Sequence, residues 1–218
     1  MNAGHPNVGV GAIVGQVEAA GLDPLVVNVR GQDEVPSWPA AVIATGGPGS
    51  PLDGGRGIAE SAELLTRCID TGIPVLAICF SFQLLAHARG AAVRRMQEPR
   101  MGVRELSGRS RDRWLGRCGK GPVFENRKLG VFGQGDFLPL ETEGEQVLAA
   151  RFSHNAVGCV FHPEADSPTV RAFLEKRESI QVDPGEGDVF SHHADRLDHT
   201  RQVLLGGFLE GLRAPLPA

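Results

Sequence analysis

The sequence predicts an α/β fold, in which an open and mostly parallel sheet has helices on both faces. Short apolar runs of strand length recur along the chain, at residues 40–44, 75–78 and 156–161. Segments with helical spacing of apolar residues lie between these runs, at residues 58–71 and 80–88. Each apolar run leads into a turn that is rich in glycine or carries a cysteine or a histidine. In α/β proteins, binding and catalytic sites lie at such strand ends.

Length and composition narrow the class of protein. A chain of 218 residues can bury a substantial core. Its formal net charge of −4 gives no sign of a nucleic-acid surface, and no apolar run is long enough to span a membrane. The four cysteines form no CxxC pair, which indicates neither a zinc site nor a disulfide framework, and no signal-peptide pattern opens the chain. We therefore expect a reducing, cytoplasmic setting.

The first part of the chain predicts one helix and two strands. Apolar residues at helical spacing predict a helix that ends at Gly21. Residues 25–29 and 40–44 are predicted strands, with a loop at residues 31–36 between them. The second strand runs into residues 45–51, whose glycines and prolines cannot continue it. Such a backbone nest suits an oxyanion loop better than a phosphate loop, because the Lys-Ser/Thr ending of a phosphate loop is missing.

A reactive cysteine is predicted where the strand at residues 75–78 meets the helix at residues 80–88. Cys79 lies at this junction, with the small residues Ala77 and Ser81 on either side. A nucleophile elbow has this form, because the strand and helix backbones pass close together there. The helix start also favours a thiolate at this position. The alternative is a buried structural cysteine.

The second half of the chain is less regular at first. A strand is predicted at residues 91–94, and residues 97–145 predict short strands between loops, peripheral to the core. Residues 147–152 and 156–161 are predicted strands, close enough in sequence to form a hairpin.

The C-terminal part is predicted to be helical. Ser167 can cap a helix at residues 168–177, and residues 197–212 predict an amphipathic helix that a pair of glycines interrupts. We therefore expect an α/β domain over residues 1–180 and a helical extension, packed on the same domain, over residues 181–218.

A histidine and a carboxylate follow the strand at residues 156–161. His162 and Glu164 lie two residues apart, so they face the same side in extended geometry. A carboxylate beside an imidazole fixes its tautomer and supports the imidazolium. Because Cys79 lies at another strand end, a Cys–His–acid site is available. The alternative is a surface turn, since His-Pro-Glu alone is a weak signal.

Three motifs together resemble the class I glutamine amidotransferase family. GGPGS at residues 46–50 resembles its oxyanion loop, AICFSFQ at residues 77–83 its nucleophile segment, and GCVFHPE at residues 158–164 its His-x-Glu segment. Their order and spacing agree with the family over roughly residues 40–95 and 145–175. The rest resembles stand-alone, guanylate-synthetase-like members less specifically. The resemblance implies a flavodoxin-like α/β fold.

The resemblance also implies catalytic roles. Cys79 would attack the side-chain amide of glutamine, His162 would move protons, and Glu164 would orient His162. A γ-glutamyl thioester would form, ammonia would leave, and water would release glutamate. No metal and no cofactor is implied.

The same resemblance implies that four residues bind the substrate. Gly46 and Gly47 belong to the matched oxyanion loop, and the N–H groups of Gly47 and Phe80 would hold the oxyanion. Gln83 resembles the position that contacts glutamine in the family.

The chain also departs from the family pattern. Ala77 and Ser81 stand where glycines are usual, and Phe82 stands where histidine is frequent. The family's His-x-Asp signature is not evident near residues 134–136. Family members usually open with a buried strand, which this sequence lacks before its first helix.

The leading hypothesis is glutamine hydrolysis that supplies ammonia to a separate synthetase or other acceptor enzyme, because the chain has no room for a synthetase domain. The rivals are an acyltransferase of the homoserine acyltransferase type or a γ-glutamyl peptidase with the same site, and a regulatory protein or inactive scaffold. A metal site on His192, Asp195 and His199 is also conceivable from their spacing, but a solvated helix start is favoured.

Overall fold

The computed structural model describes residues 10, 12–28, 39–47, 49–171 and 186–213, and in the last range it describes the side chains of residues 193–212. The described helices are α1 (Ile13–Ala19), α2 (Arg56–Asp70), α3 (Phe80–Ala88), α4 (residues 167–171) and α5 (Glu186–Arg213). The described strands are β1 (Val42–Ala44), β2 (Val75–Ile78), β3 (Ala92–Glu105), β4 (Pro122–Phe132), β5 (Leu138–Glu143), β6 (Gln146–Ser153) and β7 (Ala156–Cys159). A short 3-10 helix, Leu115–Cys118, lies between β3 and β4.

The described strands form one sheet of seven strands. Its order is β1-β2-β7-β6-β4-β3, and β5 pairs with β6 outside this path. The β1–β2 and β2–β7 pairs are parallel. The β7–β6, β6–β4, β4–β3 and β5–β6 pairs are antiparallel. The predicted α/β class is confirmed, but the sheet is mixed rather than mostly parallel. The reason is local, because short turns such as those joining β5 to β6 and β6 to β7 allow only antiparallel pairing.

The parallel strands bring three loops to one edge of the sheet. The carboxyl ends of β1, β2 and β7 lie side by side in the observed register. The glycine loop after β1, Cys79 after β2 and His162 after β7 therefore meet at this edge. All four residues of β2 and all four of β7 are buried, which anchors the last two loops in the core.

The predicted N-terminal elements are confirmed in part. Helix α1 stops before Gly21, which has a φ of 70° as expected for a residue that ends a helix. The strand predicted at residues 25–29 is wrong over its described part, because residues 25–27 have no regular structure and Asn28 forms an isolated bridge. Leu25 and Val26 are 69% and 48% exposed, whereas Val27 is buried, so only part of this apolar run packs against the core. The loop predicted at residues 31–36 lies outside the described residues.

The stretch predicted as peripheral is part of the sheet. Strand β3 runs for 14 residues and pairs with β4, and Phe124 and Val131 of β4 are buried. The charged residues of β4 make this strand hard to recognise in the sequence. Glu125 and Arg127 form an ion pair of 2.8 Å with exposed side-chain fractions of 3% and 1%, so charge is buried in pairs rather than excluded.

The start of α4 is capped one residue earlier than predicted. The backbone N–H of Thr169 donates to Oδ1 of Asp166 at 3.0 Å, so Asp166 is the capping residue. The hydroxyl of Ser167 instead donates to Oδ2 of Asp198 at 2.6 Å and ties α4 to α5. The remainder of the predicted helix, residues 172–177, lies outside the described residues.

Helix α5 continues through the glycine pair that was predicted to interrupt it. Leu204, Leu205, Phe208 and Leu209 are buried against the main core on either side of that pair, and this packing outweighs the low helix propensity of glycine. The indole Nε1–H of Trp114 donates to the carbonyl of Leu204 at 2.9 Å. The predicted boundary near residue 180 is not among the described residues. Among the described helices, none combines the length and apolarity that crossing a bilayer requires.

Candidate active site

Cys79 lies in a strained turn between β2 and α3. Its φ of 50° and ψ of −105° make it the one non-glycine residue with positive φ in the described part of the chain. Such a conformation costs roughly 1–3 kcal/mol and persists where the surroundings enforce it. Here the N–H of Cys79 donates to the carbonyl of Cys159 at 2.8 Å, and its carbonyl accepts the N–H of Gln83 at 2.9 Å. The geometry is that of the predicted nucleophile elbow.

A glycine in β7 provides part of the space that the elbow needs. A Cβ at Gly158 would lie 2.7 Å from the carbonyl oxygen of Ala77 and 2.8 Å from the ring of Phe82. Gly158 therefore allows β7 to approach an elbow that carries Ala77 and Ser81 instead of glycines. The hydroxyl of Ser81 is buried and donates to the carbonyl of Thr45 at 2.7 Å. This bond ties the glycine loop after β1 to the first turn of α3.

His162 and Glu164 form a buried couple. Nδ1 of His162 and Oε1 of Glu164 are 2.8 Å apart, and their side chains are 11% and 4% exposed. The strand predicted at residues 156–161 ends at Cys159 in the structure, and the predicted extended geometry of His162 and Glu164 is wrong. A turn brings the two side chains together, with the N–H of Ala165 donating to the carbonyl of His162 at 3.1 Å. The backbone N–H of His162 donates to the carbonyl of Phe124 at 2.8 Å and fixes the segment on β4.

The surroundings favour a protonated imidazole at His162. Burial alone would lower the pKa of His162, but the carboxylate of Glu164 and the neighbouring sulfur of Cys79 raise it well above its ordinary value. Nε2 of His162 is buried and makes no hydrogen bond of ordinary geometry with a described residue. That nitrogen is therefore available to exchange a proton with the sulfur or with a bound substrate.

Gly46 lies between the cysteine and the histidine. A Cβ at this position would be 3.1 Å from Cε1 of His162, 3.2 Å from Cβ of Cys79 and 3.8 Å from its Sγ. The structure thus brings together the three residues predicted as catalytic and the first residue of the predicted oxyanion loop. Gly47 follows and is half-buried, and Phe80 is the first residue of α3.

Gln83, predicted to contact the substrate, faces β4. Its side chain is 3% exposed, and Nε2 donates to the carbonyl of Leu129 at 3.2 Å. The carboxamide therefore connects the elbow helix to β4.

Strand β4 supplies contacts that the sequence did not reveal. The carbonyl of Asn126 lies 3.9 Å from Sγ of Cys79, within reach of the thiol proton, and the ring of Phe124 lies 6.1 Å from that of His162 between centroids. These are backbone and ring contacts from a strand without a motif, so no residue pattern marked them. In the described residues no three His, Cys, Asp or Glu side chains converge as a metal site, and the side chain of His192 lies outside them.

A model of the glutamine amidotransferase class-I family matches residues 10–182. The chain belongs to this family. The predicted family, α/β fold and class of enzyme are confirmed, and the match covers the elbow and the His-x-Glu segment.

Curated relatives of the chain agree with the family match. The chain is 27% identical over 153 residues to the glutamine-hydrolysing GMP synthase of Tropheryma whipplei strain Twist, covering 67% of this chain and 29% of the relative. It is 42% identical over 57 residues to one subunit of the glutamine-hydrolysing GMP synthase of Methanoculleus marisnigri, covering 26% of this chain and 30% of the relative. The chain thus spans less than a third of the length of these relatives.

Two solved structures share the fold. A glutamine amidotransferase from Methylobacillus flagellatus has a TM-score of 0.81 at 16% identity, covering 98% of this chain and 94% of that one. A glutamine amidotransferase from Thermotoga maritima has a TM-score of 0.73 at 17% identity, and the match covers 95% of this chain and 94% of that one.

Proposed function

We propose that this chain hydrolyses the side-chain amide of glutamine through Cys79, His162 and Glu164 and supplies ammonia to a separate acceptor enzyme. The observation that carries the proposal is the approach of the strained Cys79 to the buried His162–Glu164 couple, with Gly46 packed against both reactive residues. The family match supports glutamine as the substrate of this site.

The reaction begins with proton sharing between sulfur and imidazole. The Cys79 thiolate attacks the carboxamide carbon, and the carbonyl electrons move to its oxygen. His162, held protonated by Glu164, gives its proton to the amide nitrogen as the C–N bond breaks and ammonia leaves. Water then attacks the γ-glutamyl thioester while neutral His162 takes its proton. The sulfur departs as glutamate is released, and the pair returns to its starting state.

The developing oxyanion would be held by backbone N–H groups. We assign this role to Gly47 in the loop after β1 and to Phe80 at the start of α3, where the helix dipole also favours negative charge. The Ser81–Thr45 hydrogen bond joins the two elements that carry these donors. Ser81 would therefore act as a positioning residue for the oxyanion site, in place of the glycine usual in the family.

We infer that Gln83 acts on substrate binding mainly through β4. Its bond to Leu129 holds β4 beside the elbow, and β4 contacts both the Cys79 sulfur and the His162 segment. A direct contact of Gln83 with glutamine remains a proposal that a KM measurement on Gln83→Glu tests.

The acceptor is proposed to be a synthetase on another polypeptide. The curated relatives are named as GMP synthases that hydrolyse glutamine, and one name denotes a single subunit of such an enzyme. A nucleotide-modifying synthetase is accordingly the partner that these names favour, and a cytoplasmic location is part of the same proposal. The family match favours this function over the acyltransferase and peptidase alternatives. The position of Gly46, close to both Cys79 and His162, and the His162–Glu164 hydrogen bond favour an active site over an inactive scaffold.

The experiment measures labelling of the chain by a glutamine-mimicking chloroketone, with intact-mass detection, beside glutamate release from glutamine. Labelling needs no acceptor enzyme, so it reports on the site even if turnover requires a partner. We expect one adduct per chain, which glutamine slows and Cys79→Ala abolishes. The matched control is Cys118→Ala, which removes another partly buried thiol and should leave labelling unchanged. An adduct that persists in Cys79→Ala, or labelling that glutamine does not slow, would reject the proposal.

A further inference from the structure

A cleft lies at the end of the sheet opposite to Cys79. It has a volume of about 600 Å³ and is reached from Pro74 before β2 and Asn155 before β7. Since Cys79 lies after β2, the length of that strand separates the cleft from the reactive sulfur by roughly 15 Å. The residues that decide its chemistry are Arg111, Arg113, Arg117, Arg151, Asp112 and Glu210. We call this site the basic cleft.

The basic cleft concentrates positive charge in an acidic protein. Its lining includes four arginines and two carboxylates, a formal balance of +2, whereas the whole chain has a net charge of −4. Three of the four arginines come from the connection between β3 and β4, which the proposed glutamine chemistry does not use, and Arg151 comes from β6.

Two of the arginines are held in place by carboxylates. Arg151 makes a two-pronged ion pair with Asp112, with N–O distances of 2.6 and 2.9 Å, and the pair is largely buried. Arg117 pairs with Glu210 of α5. A Cβ at Gly207 would lie 3.4 Å from Cδ and Nη1 of Arg117, so this glycine allows the arginine stem to lie close to the helix.

The other two arginines keep uncompensated charge. Arg113 donates to the backbone carbonyl of His154, which carries no formal charge. Arg111 makes no hydrogen bond or ion pair with any residue in the described ranges, and its side chain is exposed. Among the described residues, therefore, two guanidinium groups of the cleft have no anionic partner, and the ion pairs of Arg151 and Arg117 lie beside them.

We propose that the basic cleft binds a compact oxyanion of at least two negative charges, of the phosphate type. Guanidinium groups match the tetrahedral oxygens of phosphate with paired N–H donors, and fixed neighbours reduce the ordering needed on binding. Its position away from Cys79 makes it a site distinct from the one that receives glutamine.

The test is calorimetric titration of the whole chain with inorganic pyrophosphate, at constant ionic strength maintained with potassium chloride. We expect saturable binding at one site per chain, weakened by about tenfold or more in Arg111→Ala and in Arg113→Ala. Arg95→Ala removes an exposed arginine on β3 and should leave the affinity unchanged. Chloroketone labelling of Cys79 in each variant shows that the fold is retained.

Other outcomes would overturn the proposal. Titration without saturation, or equal weakening by Arg95→Ala, would mean that pyrophosphate is attracted by the general charge of the surface and is not bound in the cleft. Full affinity in both Arg111→Ala and Arg113→Ala would remove the cleft as the binding site. Citrate that binds as tightly as pyrophosphate would overturn the phosphate assignment.

Discussion

The parallel and antiparallel parts of the sheet contribute to the candidate site in different ways. The parallel strands β1, β2 and β7 deliver reactive groups, because their carboxyl ends meet at one edge. The antiparallel strand β4 contributes backbone carbonyls, which accept the N–H of His162, approach the Cys79 thiol and accept the carboxamide of Gln83. In the proposed mechanism the first part therefore carries the reacting groups and the second holds them in position, so mutations in the two parts should have different effects.

The largest expected effect is on the parallel side, in Glu164→Gln. The neutral amide no longer supports a charged imidazole, so turnover should fall by about 10²–10⁴-fold while the fold is retained. Steady-state glutamate release from glutamine, and the rate of chloroketone labelling of the chain, measure the loss. Activity within about threefold of the parent would mean that the couple is not catalytic.

Arg127→Met tests the antiparallel side. It leaves Glu125 buried without its nearest partner, so the free energy of unfolding should fall by roughly 3–5 kcal/mol. Arg104 also contacts Glu125 at 3.3 Å, which places the loss toward the lower end of that range. Denaturant unfolding measures it, with Arg94→Ala as the control, since the exposed Arg94–Glu145 pair is worth about 0–1 kcal/mol. Equal losses in the two variants would erase the distinction between the buried and the surface pair.

Ser81→Ala examines the link between the glycine loop and the elbow. Loss of the hydroxyl leaves the carbonyl of Thr45 without this donor, and we expect turnover to fall about tenfold with KM little changed. Ser81→Thr should restore part of the turnover. Ser61→Ala, which removes a hydroxyl bonded within α2, is the control. A rise in KM at unchanged kcat would place Ser81 in substrate binding instead of in oxyanion positioning.

The same division explains what could be predicted from sequence. Cys79, His162 and the loop at residues 45–51 are each marked by local chemistry next to an apolar strand, so their elements and meeting point could be predicted. Strand β4 could not be predicted as a buried strand, because charged residues such as Glu125 and Arg127 are typical of a surface segment and neutralise each other only after folding. The cap at Asp166 could not be predicted, because Ser167 is an equally good capping residue in the sequence. Only in the folded chain does the Ser167 hydroxyl donate to Asp198 instead.

Packing accounts for the other errors. Residues 25–27 have strand composition but no regular structure, and composition alone cannot reveal whether another strand will pair with a segment. The glycine pair in α5 is tolerated because the leucines and phenylalanine around it are buried. These are long-range effects, which local periodicity does not contain.

The most direct test of the central claim is the titration of His162, followed by NMR of the imidazole Cε1–H in the whole chain. Glu164 and the Cys79 sulfur raise the pKa of His162 well above its usual 6.5, so the ring should stay protonated through neutral pH. The stabilisation that this charge gives the fold is then present below the unfolded-state pKa and lost as pH rises through the folded one. Glu164→Gln should lower the pKa. A ring in the parent protein that titrates at or below its ordinary pKa would contradict the account.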